Sequence, residues 1–283
     1  MSKGKKVWLI IATSLIILGL TIFVIVMSVN GWDFKKLSTA EFETNTYDIS
    51  EEFRNIFIKT NTADIKFVVS DDGKCKVICY EQENFYHSVN VKNDTLTINV
   101  VDDREWYEYI GISIGSPKIT VYLPEKDYVS EMKVKASTGD IRFEDMSAKD
   151  IDFTTSTGDI IISNVDCKNN IKATVSTGKT KITSTKCEKL MSDGDTGDII
   201  LKNVIVAEGI SIERDTGDVK FDRCDADEIS VETDTGDITG TLLSDKIFFV
   251  ETDTGKVNVP RTIAGGRCEL ETDTGDIVIS ISK

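Results

Sequence analysis

Two patterns of hydrophobic and polar positions divide the chain. From Val7 to Val29 there are 23 consecutive residues without a charge. At about 1.5 Å per residue, a helix of that length spans roughly 34 Å, enough for a hydrocarbon core of about 30 Å. The stretch is longer than the apolar region of a cleaved signal peptide, and Met27-Ser28-Val29-Asn30 offers no Ala-x-Ala site. It predicts an uncleaved signal anchor, a single transmembrane helix. Lys3, Lys5 and Lys6 precede it without an acid, whereas Asp33, Lys35, Lys36 and Glu41 follow it with mixed sign. The positive-inside rule then places the N-terminus in the cytoplasm and the rest outside the cell membrane.

The second pattern is an alternation with period two, repeated every 19 or 20 residues. Its marker is a Thr-Gly pair whose glycine recurs at Gly139, Gly158, Gly178, Gly197, Gly217, Gly236, Gly255 and Gly275. Seven and five residues before each glycine stand mostly apolar residues such as Ile151 and Phe153, or Ile229 and Val231. Two and four residues after it stand Ile141 and Phe143, Ile160 and Ile162, Ile199 and Leu201. Lys, Asp, Glu and Thr fill the places between. Each repeat therefore reads as two strands with one buried face, joined at a glycine corner that needs φ > 0. No helical period intervenes. The reading is an all-β protein, a parallel single-chain β-solenoid of about 19–20 residues per coil stacked at about 4.8 Å. An antiparallel sandwich or a propeller needs hairpins or a longer repeat. Asn61-Thr62-Ala63-Asp64-Ile65 is a degenerate corner, and Ala63 lies 76 residues before Gly139, four times 19, as if irregular early coils began there. The predicted organisation is a cytoplasmic end at 1–6, the anchor at 7–29, and a linker at 30–55. An irregular β region at 56–130 is continuous with the regular repeats at 131–283. Trp106, Tyr107 and Tyr109 are placed in an insertion covering the early core.

Composition narrows the function. The chain of 283 residues has 48 acidic and 33 basic side chains, net −15, which argues against nucleic acid as a partner. From Ser130 onward 30 acids face 19 bases, net −11, against −4 for the remainder. The single histidine, His87, argues against histidine-based metal sites and Ser-His-Asp catalysis. Six cysteines in an exported protein suggest disulfides. Aligned on the glycine, however, Cys167, Cys187, Cys224 and Cys268 replace apolar residues, with Leu243 and Ala264 at equivalent places. They read as buried thiols, as do Cys75 and Cys79. If any pair is bridged it is Cys167 and Cys187, with poor geometry between parallel Cβ vectors. Zinc spacing is absent.

Asp-Thr-Gly, at Asp195, Asp215, Asp234, Asp253 and Asp273, is also an aspartic-protease signature. Five copies in series, with Ser137, Ser156 and Ser176 in the same slot, read instead as turns. One residue after the glycine runs a ladder of Asp140, Asp159, Lys179, Asp198, Asp218, Asp237, Lys256 and Asp276. Stacked carboxylates repel, so backbone N–H groups or a bound cation must offset them. Asp198, Asp218 and Asp237 are the candidate calcium ligands, although the glycine-rich calcium-roll motif is absent and hydrogen-bonded turns are preferred. No other cofactor is expected. In the pairs Thr233/Thr235, Thr252/Thr254 and Thr272/Thr274, both threonines are expected on the core side, bonding along the ladder.

The membrane segment, the Thr-Ala-Asp-Ile corner, Lys118-Ile-Thr-Val-Tyr-Leu-Pro124 and the repeated Ser/Asp-Thr-Gly-Asp-Ile coils resemble the bacterial "putative adhesin" domains of unknown function. The resemblance covers Phe53 to Ser282. It implies a β-helical fold, no catalytic residues, and for some relatives a link to envelope stress from cationic antimicrobials. The function expected is a non-catalytic, adhesin-like binding or scaffold module of the cell envelope. Its partners would be the membrane and cationic peptides or envelope proteins, with no oligomeric state indicated. A β-helix polysaccharide lyase or hydrolase and a calcium-stabilised rod are the alternatives.

Overall fold

The computed structural model describes residues 3–38, 40–110, 113, 115–126 and 129–282. Met1, Ser2 and Lys283, at the ends of the expected cytoplasmic and repeat segments, lie outside the described residues. The chain divides into two compact units, Met1–Phe42 with Asp103–Gly115, and Glu43–Asp102 with Ser116–Lys283. The first contains α1 (Lys3–Val29), a helix long and apolar enough to cross a membrane. It starts four residues before the apolar run, because three lysines and a glycine continue its turns. In the same unit Trp106, Tyr107 and Tyr109 are exposed.

The second unit is all β. Its first strands are β1 (Phe42–Ile49), β2 (Asn55–Thr62), β3 (Asp64–Val69), β4 (Cys75–Gln82), β5 (Phe85–Lys92), β6 (Thr95–Asp102) and β7 (Lys118–Leu123). β1 lies inside the segment expected to be a linker. The sheet is mixed. Among the described residues, pairings between repeat coils are parallel, as in Ile151↔Ile171 and Ile199↔Val219, with register shifts at Cys187/Lys189 and Asp222/Cys224, which gives a β-solenoid-like stack. The pairings β4–β5, β4–β7 and β5–β6 are antiparallel.

Coils carry a strand of eight or nine residues before the glycine and a shorter one after it, except where the two run together as Thr180–Thr196 and Ile199–Thr216. The apolar positions at −7, −5, +2 and +4 turn inward and merge into one core running from Phe53 to Ile279. Phe67, Phe143 and Phe153 interlock there, with centroids 5.6–6.3 Å apart. The glycines form a column for two reasons. Gly197 has φ +129°, and a Cβ on it would stand 2.0 Å from the Gly178 carbonyl oxygen of the coil below. A second corner, six residues after the glycine, was not read from the sequence. There Asp145, Asn164, Ser184, Asn203 and Arg223 all adopt φ between 50° and 59°, which Asp and Asn tolerate best.

The stacking order departs from the chain order at both ends. Ala63 lies directly beneath Gly139, since Thr62 pairs with Thr138 and Ile65 with Ile141. The 76-residue interval from one to the other is therefore not four coils. The chain between them leaves as β4 and β5, then returns as β6 and β7 to form the rung beneath β2 and β3, with β4 and β5 paired on its far side. At the other end, the Gly236 strand Glu228–Thr235 pairs not with the next strand but with Gly266–Thr274, and Lys246–Thr254 lies beyond that. The Gly275 coil is thus inserted between those of Gly236 and Gly255. The outermost rung is the Gly255 coil, whose Phe248, Val250, Val257 and Val259 are less buried than their counterparts. The last strand, Ile277–Ile281, does not form the edge of the stack. Ile277–Ile281 pairs along its length with Ile238–Leu242 and through two residues with Val257–Asn258. Near this end the alignment also slips. Leu242, not the exposed Leu243, pairs with Cys224, and Ala264 is exposed.

Candidate functional site

The ladder after the glycines is built by backbone donors. The Asp159 N–H donates to Asp140 Oδ1 at 2.9 Å, Lys179 N–H to Asp159 Oδ1 at 2.8 Å, Asp237 N–H to Asp218 Oδ1 at 3.1 Å and Asp276 N–H to Asp237 Oδ1 at 2.8 Å. Each carboxylate thus caps the next coil's corner. The outer oxygens of two calcium candidates are also engaged, as Lys179 Nζ donates to Asp198 Oδ2 and Lys220 Nζ to Asp218 Oδ2, both at 2.9 Å. These lysines hold Asp198 and Asp218 below the usual carboxylate range. Asp198, Asp218 and Asp237 do not converge. Among the described residues, the group of three or more acids, cysteines or histidines whose ligand atoms lie close together is elsewhere.

Beside this ladder, the outer face of the pre-glycine strands carries two rows of acids. Asp193, Glu213, Glu232, Glu271 and Glu251 stand in register four residues before their glycines. Asp195, Asp215, Asp234, Asp273 and Asp253 run two residues nearer the corner. Asp193 reaches Lys172 at 3.7 Å. Partial desolvation, then Glu232 and Glu251, push Glu271 upward. The inward residue between the rows is often Thr. Thr155, Thr252 and Thr272 donate to the glycine carbonyls of neighbouring coils at 3.0–3.1 Å. The second members, Thr235, Thr254 and Thr274, are exposed rather than core-facing, because the chain leaves its alternation at the corner.

One coil departs from this scheme. Arg214 takes the threonine position, is fully buried, and reaches over Gly194 to donate from Nη1 to the Val175 carbonyl at 2.9 Å. A Cβ on Gly194 would lie 2.3 Å from that nitrogen. Burial lowers the pKa of the guanidinium, opposed by Asp195, Asp193 and Asp215.

The cysteines are all free and buried. Burial pushes Cys75, Cys79, Cys167, Cys187 and Cys268 up to about 12. They are packed thiols, not nucleophiles.

A polar cluster that sequence reasoning missed sits where β4 and β5 meet. His87 Nδ1 is 2.6 Å from Glu81 Oε2, and its Nε2 is 2.8 Å from Thr60 Oγ1. Asn45 Nδ2 donates to Glu81 Oε1 at 2.9 Å, the His87 N–H to Glu81 Oε2 at 2.9 Å, and Tyr47 Oη to the His87 carbonyl at 3.0 Å. Cys79 Sγ belongs to the same group, within 4.8 Å of the His87 and Glu81 ligand atoms. Cys79, Glu81, His87 and Thr60 are all buried. The order hydroxyl, imidazole, carboxylate is that of a nucleophile relay. Here the hydroxyl is sealed from solvent, so the relay has no substrate to reach. The available signal was alternation: Cys79 and Glu81 share the inward face of β4 with Val77, and His87 shares that of β5 with Phe85.

This coil architecture, from Phe53 onward, is the region matched by a family profile, that of Toastrack DUF4097, over residues 53–209 and 168–283. The chain belongs to that family. Solved structures similar to this Toastrack chain include a "putative adhesin" from Bacteroides fragilis, 16% identical with a TM-score of 0.55. The match covers 85% of this chain and 97% of that one. A "putative lipid binding protein" from Parabacteroides distasonis is 14% identical with a TM-score of 0.50, covering 87% and 98%. At such identities the likeness concerns the fold. Comparison with curated proteins finds no match.

Proposed function

We propose that this Toastrack chain is a non-catalytic binding or scaffold module of the bacterial cell envelope. α1 anchors it in the membrane with its N-terminus inside, and the parallel β-solenoid stands outside. Its corner carboxylates need no calcium, because N–H groups and lysines hold them. Its acidic face engages cationic ligands such as cationic peptides, consistent with a role in envelope stress. The carrying observation is the double row of carboxylates on one exposed face, where, among the described residues, Asp193 alone of the ten forms an ion pair. Acids stacked at coil spacing repel one another and create a field that attracts polycations.

Polylysine binding to the detergent-solubilised full chain tests this. Affinity is expected to fall at least about tenfold between low salt and about 0.5 M salt, since screening acts within a Debye length of a few ångströms there. It falls similarly in the quadruple variant Glu213→Gln, Glu232→Gln, Asp215→Asn, Asp234→Asn. Binding indifferent to both changes refutes the electrostatic mode. Vesicles of anionic and of neutral lipid in the same assay examine the lipid binding named for the P. distasonis structure. Orientation is read by a reporter that is active only outside the cytoplasm, fused to the C-terminus. Activity only of a cytoplasmic reporter reverses the topology.

A further inference from the structure

We propose that Cys79, Glu81 and His87 form a binding site for one borderline-soft divalent metal ion, zinc first among them. The three ligand atoms come from two strands that carry different faces of the coil, β4 and β5, and all lie within 4.8 Å of one another in the buried interior.

The donor set selects the ion. One sulfur, one imidazole nitrogen and one carboxylate oxygen suit zinc or cobalt, with a water as the fourth tetrahedral ligand, whereas calcium and magnesium take oxygen. Charge agrees with that choice. A thiolate and a carboxylate with a neutral imidazole cancel a 2+ ion, and a neutral assembly is what a buried site tolerates.

The surrounding hydrogen bonds fit the same reading. Metal-bound histidine and carboxylate groups are normally oriented by partners on their remaining polar atoms. Here Thr60 Oγ1 lies 2.8 Å from Nε2, which leaves Nδ1 as the ligand nitrogen. Asn45 holds Glu81 Oε1, and Oε2, which also accepts the His87 N–H, is the oxygen that faces the ring. Those two inner atoms are 2.6 Å apart and bridged by a proton. Tetrahedral bonds of about 2.0 Å place such atoms about 3.3 Å apart, so a small opening of the two side chains admits the ion, with the ring keeping its one proton on Nε2, donated to Thr60 Oγ1. Binding also removes the Cys79 thiol proton, and the ion would staple the two faces at the end of the stack where the sheet turns antiparallel.

Cobalt(II) titration of the full chain in detergent tests the site. The expected result is one equivalent bound, with a thiolate-to-cobalt charge-transfer band and the visible bands of a tetrahedral ion, and competition by zinc. Cys79→Ser removes the charge-transfer band, and Cys167→Ser leaves it unchanged. Thr60→Val keeps the ligands but loses the orienting bond, so the band persists while cobalt affinity falls about tenfold or more. This variant carries the test if Cys79→Ser does not fold. Folded wild-type chain with no band overturns the proposal. So does a band undiminished in Cys79→Ser, or an unchanged affinity in Thr60→Val.

Discussion

At the scale of single residues, the repeat is enforced by what a side chain would hit. Gly197 combines φ +129° with a backbone oxygen 2.0 Å from its missing Cβ. Gly197→Ala is therefore expected to destabilise the β unit by about 3 kcal/mol or more, because strain and backbone overlap add. Gly209 is the control. It has no left-handed φ, and its nearest atom would be 3.6 Å away. Gly209→Ala should be neutral or stabilise by about 0.5 kcal/mol through the unfolded chain. Urea unfolding of both variants checks the pair, and equal losses would contradict the stacking argument. Glycine recurrence was legible because only glycine fits. Arg214 was not, because its burial depends on the vacancy above Gly194 in the adjacent coil, which no local pattern reveals.

Ladders belong to the scale of elements. On the flank after the glycines, repulsion is offset rung by rung, since each Asp accepts an N–H and some also meet a lysine. The outer face lacks such partners at its acidic end, and Glu271 reports the consequence. Its folded-state pKa lies above the unfolded one, so its charge opposes folding. That penalty is absent below the unfolded value of about 4.3 and complete once pH has risen past the folded one. Glu271→Gln should raise Tm at neutral pH and low salt, with the gain vanishing near pH 3 and shrinking in salt. Thermal melts across pH give the answer, and a gain that survives at pH 3 would mean a packing effect instead. Asp198 and Asp218 behave oppositely. Their lysines depress them, so their contribution is present above the unfolded value of about 3.9 and is lost as pH falls through the folded one.

For the β unit as a whole, chain order and spatial order differ. The Gly266–Thr274 strand is flanked on both sides, by Glu228–Thr235 and Lys246–Thr254, although it lies nearer the C-terminus than its outer neighbour. Backbone amides in 266–274 should therefore exchange with solvent more slowly than those in 246–254. Hydrogen-exchange mass spectrometry compares the two segments, and faster exchange of 266–274 would refute the inserted coil. Threading the last coil inward leaves the less buried Gly255 coil outermost, while the opposite end is closed by β4 and β5. By itself the sequence determined the apolar helix, the two-strand coil, the glycine corner and the burial of the cysteines. Each is imposed by local periodicity or by a steric demand that every repeat restates. Only the tertiary structure decided which coil lies on which. Equivalent coils present the same register and the same alternation to any neighbour, so the repeat cannot encode their order. The same holds for Cys79, Glu81 and His87. No familiar spacing joins them in the sequence, and they meet only because β4 and β5 part at their turn to follow different faces of the stack.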